Sequence, residues 1–168
     1  MRLLVVRHAI AMDRADFARS GKDDSERPLT KEGRVKMQKG ARGLREIVPT
    51  IDVLVSSPLV RAADTAAIVA AAYDSLPIVT IDELKPEAKP TAFLRWLKSQ
   101  HGNETVAIVG HEPHLSALVS WLLAGRNESF VILKKGAACM LEFDRAPASD
   151  GAMLSWALTP AQLRQLAP

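Results

Sequence analysis

Leu3-Leu4-Val5-Val6-Arg7-His8 is a short unbroken apolar run that stops on two nitrogen-rich side chains. A run this brief and this continuous reads as a β-strand covered on both faces, because a strand with one wet face alternates apolar and polar residues. Three further runs share that character: Val53 to Val55, Ile78 to Ile81 and Val106 to Val109. Segments with helical spacing lie between them, so the order β, α, β, α, β, α, β, α predicts a mostly parallel sheet between helices. The expected class is α/β, a three-layer α/β/α sandwich.

Outward from this frame, Thr30 can cap a helix that runs to about Val48, with Glu32 in its positive first turn. Gly33 occupies the place where a capping box needs Glu or Gln. Ser57-Pro58 reads as a cap followed by proline at the first helical position, leading to about Ala72. Helices are also expected over Thr91 to Gln100 and Pro113 to Ala124, the latter ended by Gly125. Cys139 to Phe143 and Met153 to Leu158 read as closing strands around a turn at Pro147 to Gly151, and Thr159-Pro160 opens a terminal helix. Ala9 to Pro28 is polar and poorly periodic, and reads as a long functional loop.

Nothing along the chain looks like a linker or an internal repeat, and 168 residues suffice for one self-supporting core, so residues 1–168 are expected to form a single domain. Cys139 is the sole cysteine, which excludes an internal disulfide framework and a Cys-rich zinc site and favours a reducing cytoplasm. The first apolar run breaks at Arg7-His8, too soon for a signal peptide, and no run approaches the roughly 18 residues of a membrane span. The 22 Lys and Arg against 19 Asp and Glu give +3, but these charges are scattered, and with aromatics at 5% no nucleic-acid surface is expected.

In open parallel sheets, ligands sit beyond the carboxyl ends of the strands. Here those ends carry Arg7-His8, then Ser56-Ser57-Pro58 with Arg61 in the following first helical turn, then Gly110-His111. Two arginines and two histidines therefore converge on one edge, beside helix N-termini that favour anions. Arginine presents a planar fork that matches phosphate oxygens, and a neutral imidazole has a lone pair able to attack phosphorus. The arrangement predicts an anion pocket for phosphate, with His8 as a nucleophile that becomes phosphorylated, and with Arg7, Arg61 and, if it is cationic, His111 offsetting the charge on the equatorial oxygens. His114 follows His111 by three residues, but no third ligand completes a metal frame, so no metal and no cofactor are expected.

Four segments carry a family resemblance: Arg7-His8-Ala9, Pro28-Leu29-Thr30-x-x-Gly33, Ser56-Ser57-Pro58-x-x-Arg61-Ala62-x-x-Thr65-Ala66 and Val109-Gly110-His111-Glu112-Pro113. Together they resemble the signature segments of the histidine phosphatase superfamily, with its phosphoglycerate mutase-like fold. The short chain, Ala9 in place of the commoner glycine, and Arg27-Pro28-Leu29-Thr30 resemble its SixA-type phosphohistidine phosphatase branch. The resemblance implies His8 as the phosphorylated nucleophile and Arg7, Arg61 and His111 as the rest of the phosphate pocket.

Many members of that superfamily place a carboxylic acid after the third strand to protonate an alcohol leaving group. Here that region reads Asp82-Glu83-Leu84-Lys85-Pro86-Glu87, so Glu83 and Glu87 are the candidate acids, although their spacing departs from the usual pattern. Lys22 and Arg27 in the long loop are candidate substrate contacts. The expected function is a phosphohistidine phosphatase acting on a histidine phosphotransfer or phosphocarrier domain, a signalling role in the cytoplasm with neither a nucleic-acid nor a membrane partner. The alternatives are a phosphatase or mutase of small phosphate esters and, last, a non-enzymatic binder of phosphorylated ligands.

Overall fold

The structure is a computed structural model that describes the chain except residues 101, 103 and 127. Its elements are β1 (Arg2–Arg7), α1 (Arg14–Ala18), α2 (Lys31–Ile47), β2 (Val53–Ser56), α3 (Val60–Ala72), β3 (Ile78–Thr80), α4 (Pro90–Lys98), β4 (Thr105–Gly110), α5 (His114–Ala124), β5 (Ala138–Glu142), β6 (Met153–Leu158) and α6 (Pro160–Leu166). The strands form one sheet in the order β3-β2-β4-β1-β5-β6. The first four are parallel, and β5 runs antiparallel to β1 and to β6. No helix among the described residues is long and apolar enough to cross a membrane.

The continuous apolar runs are explained by the two faces they serve. Leu4 and Val6 of β1 pack with Met37, Ala41 and Leu44 of α2, Ala62, Ala66 and Val69 of α3, and Leu163 of α6. Their neighbours Leu3 and Val5 point the other way, to Phe93 and Leu97 of α4 and Leu115, Leu118 and Leu122 of α5. Strands β1 and β2 thus feed helices on one face while the intervening β4 feeds α5 on the opposite face. A crevice opens where the crossover direction switches, at the carboxyl ends of these strands.

Two glycines permit close backbone approach. A Cβ on Gly43 would stand 1.9 Å from the Leu163 carbonyl oxygen, so α2 and α6 can lie this near only with hydrogen there. A Cβ on Gly33 would stand 2.1 Å from the Ile10 carbonyl oxygen, and Ile10 begins the path that leads away from β1. Thr30 caps α2 as its sequence predicts, accepting from the Gly33 amide at 2.9 Å. Thr159 and Gln162 close a full capping box on α6.

Three expectations need correction. The Ile78 to Ile81 run is not covered on both faces: β3 is an edge strand whose three residues are all exposed. Periodicity registers apolar content, not position in the sheet. The helix expected from Ser57-Pro58 begins at Val60, with Leu59 at its cap and no side-chain cap, because Ser57 Oγ pairs with His111 Nε2 at 2.9 Å and reaches only as far as the Leu59 amide, at 3.5 Å. Ala9 to Pro28 is less irregular than expected. It holds α1, capped by Asp13, a 3-10 turn at Asp24–Glu26, and an antiparallel bridge between Ala11 and Leu29.

Candidate active site

The strand ends are tied together by backbone before any side chain acts. The His8 amide donates to the Gly110 carbonyl at 3.0 Å, and the Ser57 amide to the Val109 carbonyl at 3.0 Å. Residues following β1, β2 and β4 are thereby held side by side. They border a cavity of about 250 Å3 whose wall includes Arg7, His8, Met12, Asp13, Arg14, Arg27, Arg61, His111, Glu112 and Lys135. The structure therefore gathers Arg7, His8, Arg61, His111 and Arg27 in one place. The ring centroids of His8 and His111 are 5.1 Å apart.

His8 is held in a single tautomer. Its Nδ1 lies 2.8 Å from the Ala9 carbonyl oxygen, which can only accept, so Nδ1 carries the proton and Nε2 keeps its lone pair. The Ala9 backbone is itself braced: its amide donates to Thr65 Oγ1 at 3.0 Å, and that hydroxyl donates to the Arg61 carbonyl at 2.7 Å. Desolvation, with smaller contributions from Arg61, Arg7 and Arg27, pushes the His8 pKa down to about 4 against the upward pull of the Ala9 contact. The imidazole is neutral at ordinary pH. His111 Nε2 pairs with Ser57 Oγ at 2.9 Å while its Nδ1 is buried without a partner. Burial first, then His8 and Arg61, lower its pKa far below the usual histidine value, so it too is held neutral and the condition of a cationic His111 is not met by the protein's own groups.

The arginines are fixed from behind. Arg7 Nη1 donates to the Leu133 carbonyl at 2.6 Å. Arg27 donates through Nε to Asp24 Oδ1 at 2.8 Å and through Nη1 to the Met12 carbonyl at 2.7 Å. Arg61 Nη1 donates to the Asp24 carbonyl at 2.9 Å and lies 3.3 Å from Asp24 Oδ2. Burial works to raise the Asp24 pKa, yet Arg27, Arg61 and Arg14 together hold it low. Asp24 is thus a carboxylate that orients the arginines. Its position three residues before Arg27 was the sequence signal that could have found it.

Glu112 and Ser57 were also missed. Glu112 Oε1 accepts from Ser116 Oγ at 2.6 Å and from the Leu133 amide at 3.3 Å, so it fastens the strip that carries Arg7's carbonyl partner. Both residues were visible in the segments Gly110-His111-Glu112 and Ser56-Ser57, but nothing local told which atom each would meet. Conversely, Glu83, Glu87 and Lys22 are absent from this cavity wall. Glu83 lines a separate groove with Asp82, Lys89, Thr91 and Arg95. Glu87 makes itself felt at His114, and Lys22 is exposed in the turn after α1. The chain between β3 and α4 turns through a 3-10 segment at Asp82–Leu84 that carries these acids away from the arginines. Among the described residues, no group of three or more His, Cys, Asp or Glu could hold a metal ion.

The buried histidines set a pH dependence. His8, His111 and His114 all have folded pKa values below that of the unfolded chain, with desolvation the leading cause. The unfolded state therefore binds protons first, so stability is full above about pH 6.5 and declines as pH falls toward about 4, each histidine contributing up to about 1.4 kcal/mol per pH unit. Urea unfolding at pH 7.5 and 5.0 is expected to show a clear fall in midpoint. An unchanged midpoint would mean that these imidazoles are not held neutral.

The sequence model described as histidine phosphatase superfamily (branch 1) matches residues 3–86. An uncharacterized protein of Picosynechococcus sp. is 34% identical over 137 residues, 80% of this chain and 81% of that protein. The chain belongs to the histidine phosphatase superfamily, whose members are phosphatases and mutases acting on phosphorylated substrates. Within it the chain is SixA-like: the protein histidine phosphatase SixA, solved in complex with tungstate, superposes with a TM-score of 0.82 at 25% identity, covering 97% of this chain and 99% of that one. The alpha-ribazole phosphatase of Shigella flexneri shares the fold, with a TM-score of 0.76 at 19% identity over 95% of this chain and 97% of that one.

Proposed function

We propose that the chain acts as one domain, residues 1–168, that removes phosphate from a phosphohistidine protein. In the first step, with the other ring nitrogen of the substrate's imidazole already protonated from solvent, the His8 Nε2 lone pair attacks phosphorus while the bond from phosphorus to the substrate's nitrogen breaks and its electron pair stays on that nitrogen, so the imidazole departs neutral. In the second, water attacks phospho-His8, the bond to Nε2 breaks, and inorganic phosphate leaves. Arg7, Arg27 and Arg61 offset the charge on the oxygens throughout, supplying the compensation that a metal ion provides in other phosphoryl-transfer sites. The entering dianion reverses the field at His111, which takes up a proton and becomes a further donor.

One observation favours a nitrogen leaving group. Neither Glu83 nor Glu87 borders the cavity, and the two carboxylates of its wall are each anchored through one oxygen to their own segments, Asp13 Oδ1 by the amides of Ala15 and Asp16 and Glu112 Oε1 by Ser116 and Leu133. An ester must expel an alkoxide unless an acid delivers a proton, whereas the imidazole of phosphohistidine departs as a stable neutral base. SixA, a protein histidine phosphatase with the same fold, supports this reading, and its tungstate matches the tetrahedral anion that the arginines would hold. The buried, unpaired thiol of Cys139 suits a reducing compartment, and the enzyme belongs in the cytoplasm.

The deciding assay compares kcat/KM for a histidine-phosphorylated phosphotransfer domain with kcat/KM for a panel of sugar phosphates and phosphoglycerates. The phosphoprotein is expected to be the better substrate, with Glu83→Gln and Glu87→Gln leaving its hydrolysis within about twofold. A preference for one small ester, together with a large loss in either Gln variant, would replace this reading with a small-ester phosphatase.

A further inference from the structure

The strip that joins α5 to β5 is built unevenly. Residues 129–134 form no regular secondary structure, and their exposure alternates: Val131 is half-buried and Leu133 buried in the core beside α5, while Phe130, Ile132 and Lys134 face outward. Ile132 is 87% exposed and Phe130 57%, the two most exposed large apolar side chains of the strip. A soluble surface tolerates a lone exposed apolar residue, but two side by side with the same orientation mark a contact surface more often than chance placement.

This strip belongs to the rim of the anion cavity. Leu133, next to Ile132, is clamped from both sides of its peptide, its amide to Glu112 Oε1 and its carbonyl to Arg7 Nη1, and Lys135 lines the cavity. Ile132 is three residues from Lys135 and Phe130 five, which places their backbones at most roughly 11 and 18 Å from that wall residue. A standard interface covers about 800 Å2 on each partner, a disc of about 16 Å radius. A protein that docks with its phosphorylated side chain in the cavity has a footprint that takes in Ile132 and extends toward Phe130. The Phe130 amide donates to the buried Ser120 Oγ in the middle of α5, which holds this end of the strip against that helix.

We propose that Phe130 and Ile132 form the docking surface for the phosphohistidine protein, with Lys134 and Lys135 facing an acidic margin on that partner. The proposal rests on the phosphohistidine reading of the site and names the surface through which its substrate is held. Ile132 near the rim is the anchor, and Phe130 extends the apolar contact; neither touches the reacting atoms. A free phosphoramidate ion enters the same cavity but is too small to reach either side chain.

The test uses the full chain and the variants Ile132→Ser, Phe130→Ser and the double substitution, each assayed on a histidine-phosphorylated phosphotransfer domain and on phosphoramidate. Both side chains are already solvated, so the fold is expected to survive, checked by circular dichroism and an unchanged urea midpoint. The double variant is expected to lose about tenfold or more in kcat/KM on the phosphoprotein, chiefly through KM, as truncation of interface anchors does, while phosphoramidate hydrolysis stays within about twofold. Equal rates on the phosphoprotein, or an equal loss on both substrates, would overturn the docking role. A change of oligomeric state in the variants with unchanged phosphoprotein kinetics would assign the patch to contacts between copies of this chain instead. If the parent hydrolyses phosphoramidate or esters but never the phosphoprotein, the functional reading itself fails and the docking surface falls with it.

Discussion

His8→Ala is expected to abolish formation of a phosphoenzyme and to reduce kcat/KM by about a thousandfold or more, roughly 4 kcal/mol of barrier at about 1.4 kcal/mol per decade. The size follows from what the variant lacks. The Nδ1 contact with Ala9 leaves Nε2 as the free lone pair, and the depressed pKa keeps that lone pair available at working pH. No other described nucleophile in the wall is equivalent, since His111 Nε2 is engaged with Ser57. The measurement is hydrolysis of a radiolabelled phosphohistidine protein, with a base quench to trap label on the enzyme, because the phosphorus–nitrogen bond survives base better than acid. Removing a buried, neutral imidazole leaves Ala9 still bound to Thr65, so circular dichroism should be unchanged. Activity within about tenfold of the parent would eliminate the covalent mechanism through His8, and label trapped on the Ala variant would move the phosphorylated nucleophile to another residue.

Arg61→Ala is expected to cost on the order of 100-fold to 1000-fold in kcat/KM, the range found when one preorganised donor to a developing charge is removed. Arg61→Lys should recover little, because an ammonium cannot reproduce the fork that meets Asp24 and an anion together. In the structure Arg61 is 3% exposed and supports the Asp24 turn through both carbonyl and carboxylate. Its removal leaves Asp24 paired with Arg27 and Arg14, so no carboxylate is stranded, and a stability loss of only about 1–2 kcal/mol is expected. Thermal unfolding separates that loss from the kinetic one. A variant with parental kcat/KM would remove Arg61 from the phosphate site.

The chemistry-bearing ends of the strands were readable because both signals involved are local. An apolar run and the residue that terminates it occupy consecutive positions, so the run marks a strand and its end whether that strand is central, like β1, or exposed at the edge, like β3. Arg7-His8, Arg61 and Gly110-His111 could therefore be assigned to one edge without knowing the strand order. Arg27 was harder, because the segment that carries it has no periodicity. It shared its expectation with Lys22, and tertiary contacts decided between them: the bridge between Ala11 and Leu29 and the hydrogen bonds of Arg27 to Asp24 and Met12 bring the one to the wall, while the other stays exposed. Glu83 and Glu87 failed for a related reason: a carboxylate's distance from the site depends on how the chain turns after an edge strand.

Sequence by itself determined the α/β class, the helix caps at Thr30 and Thr159, and the identity of the side chains at the ends of β1 and β4, since each depends on neighbours within a few positions. Tertiary structure decided the rest. The order β3-β2-β4-β1-β5-β6 inserts β4 between β1 and β2, and this alone sets His8 and His111 5.1 Å apart although more than a hundred positions separate them. It also decided that Ser57 serves His111 and not a helix, that Asp24 orients Arg27 and Arg61, and that the His8 proton sits on Nδ1. These are contacts between remote segments, made when helices on opposite faces of the sheet bury their apolar sides, and no spacing along the chain encodes which remote atom will arrive.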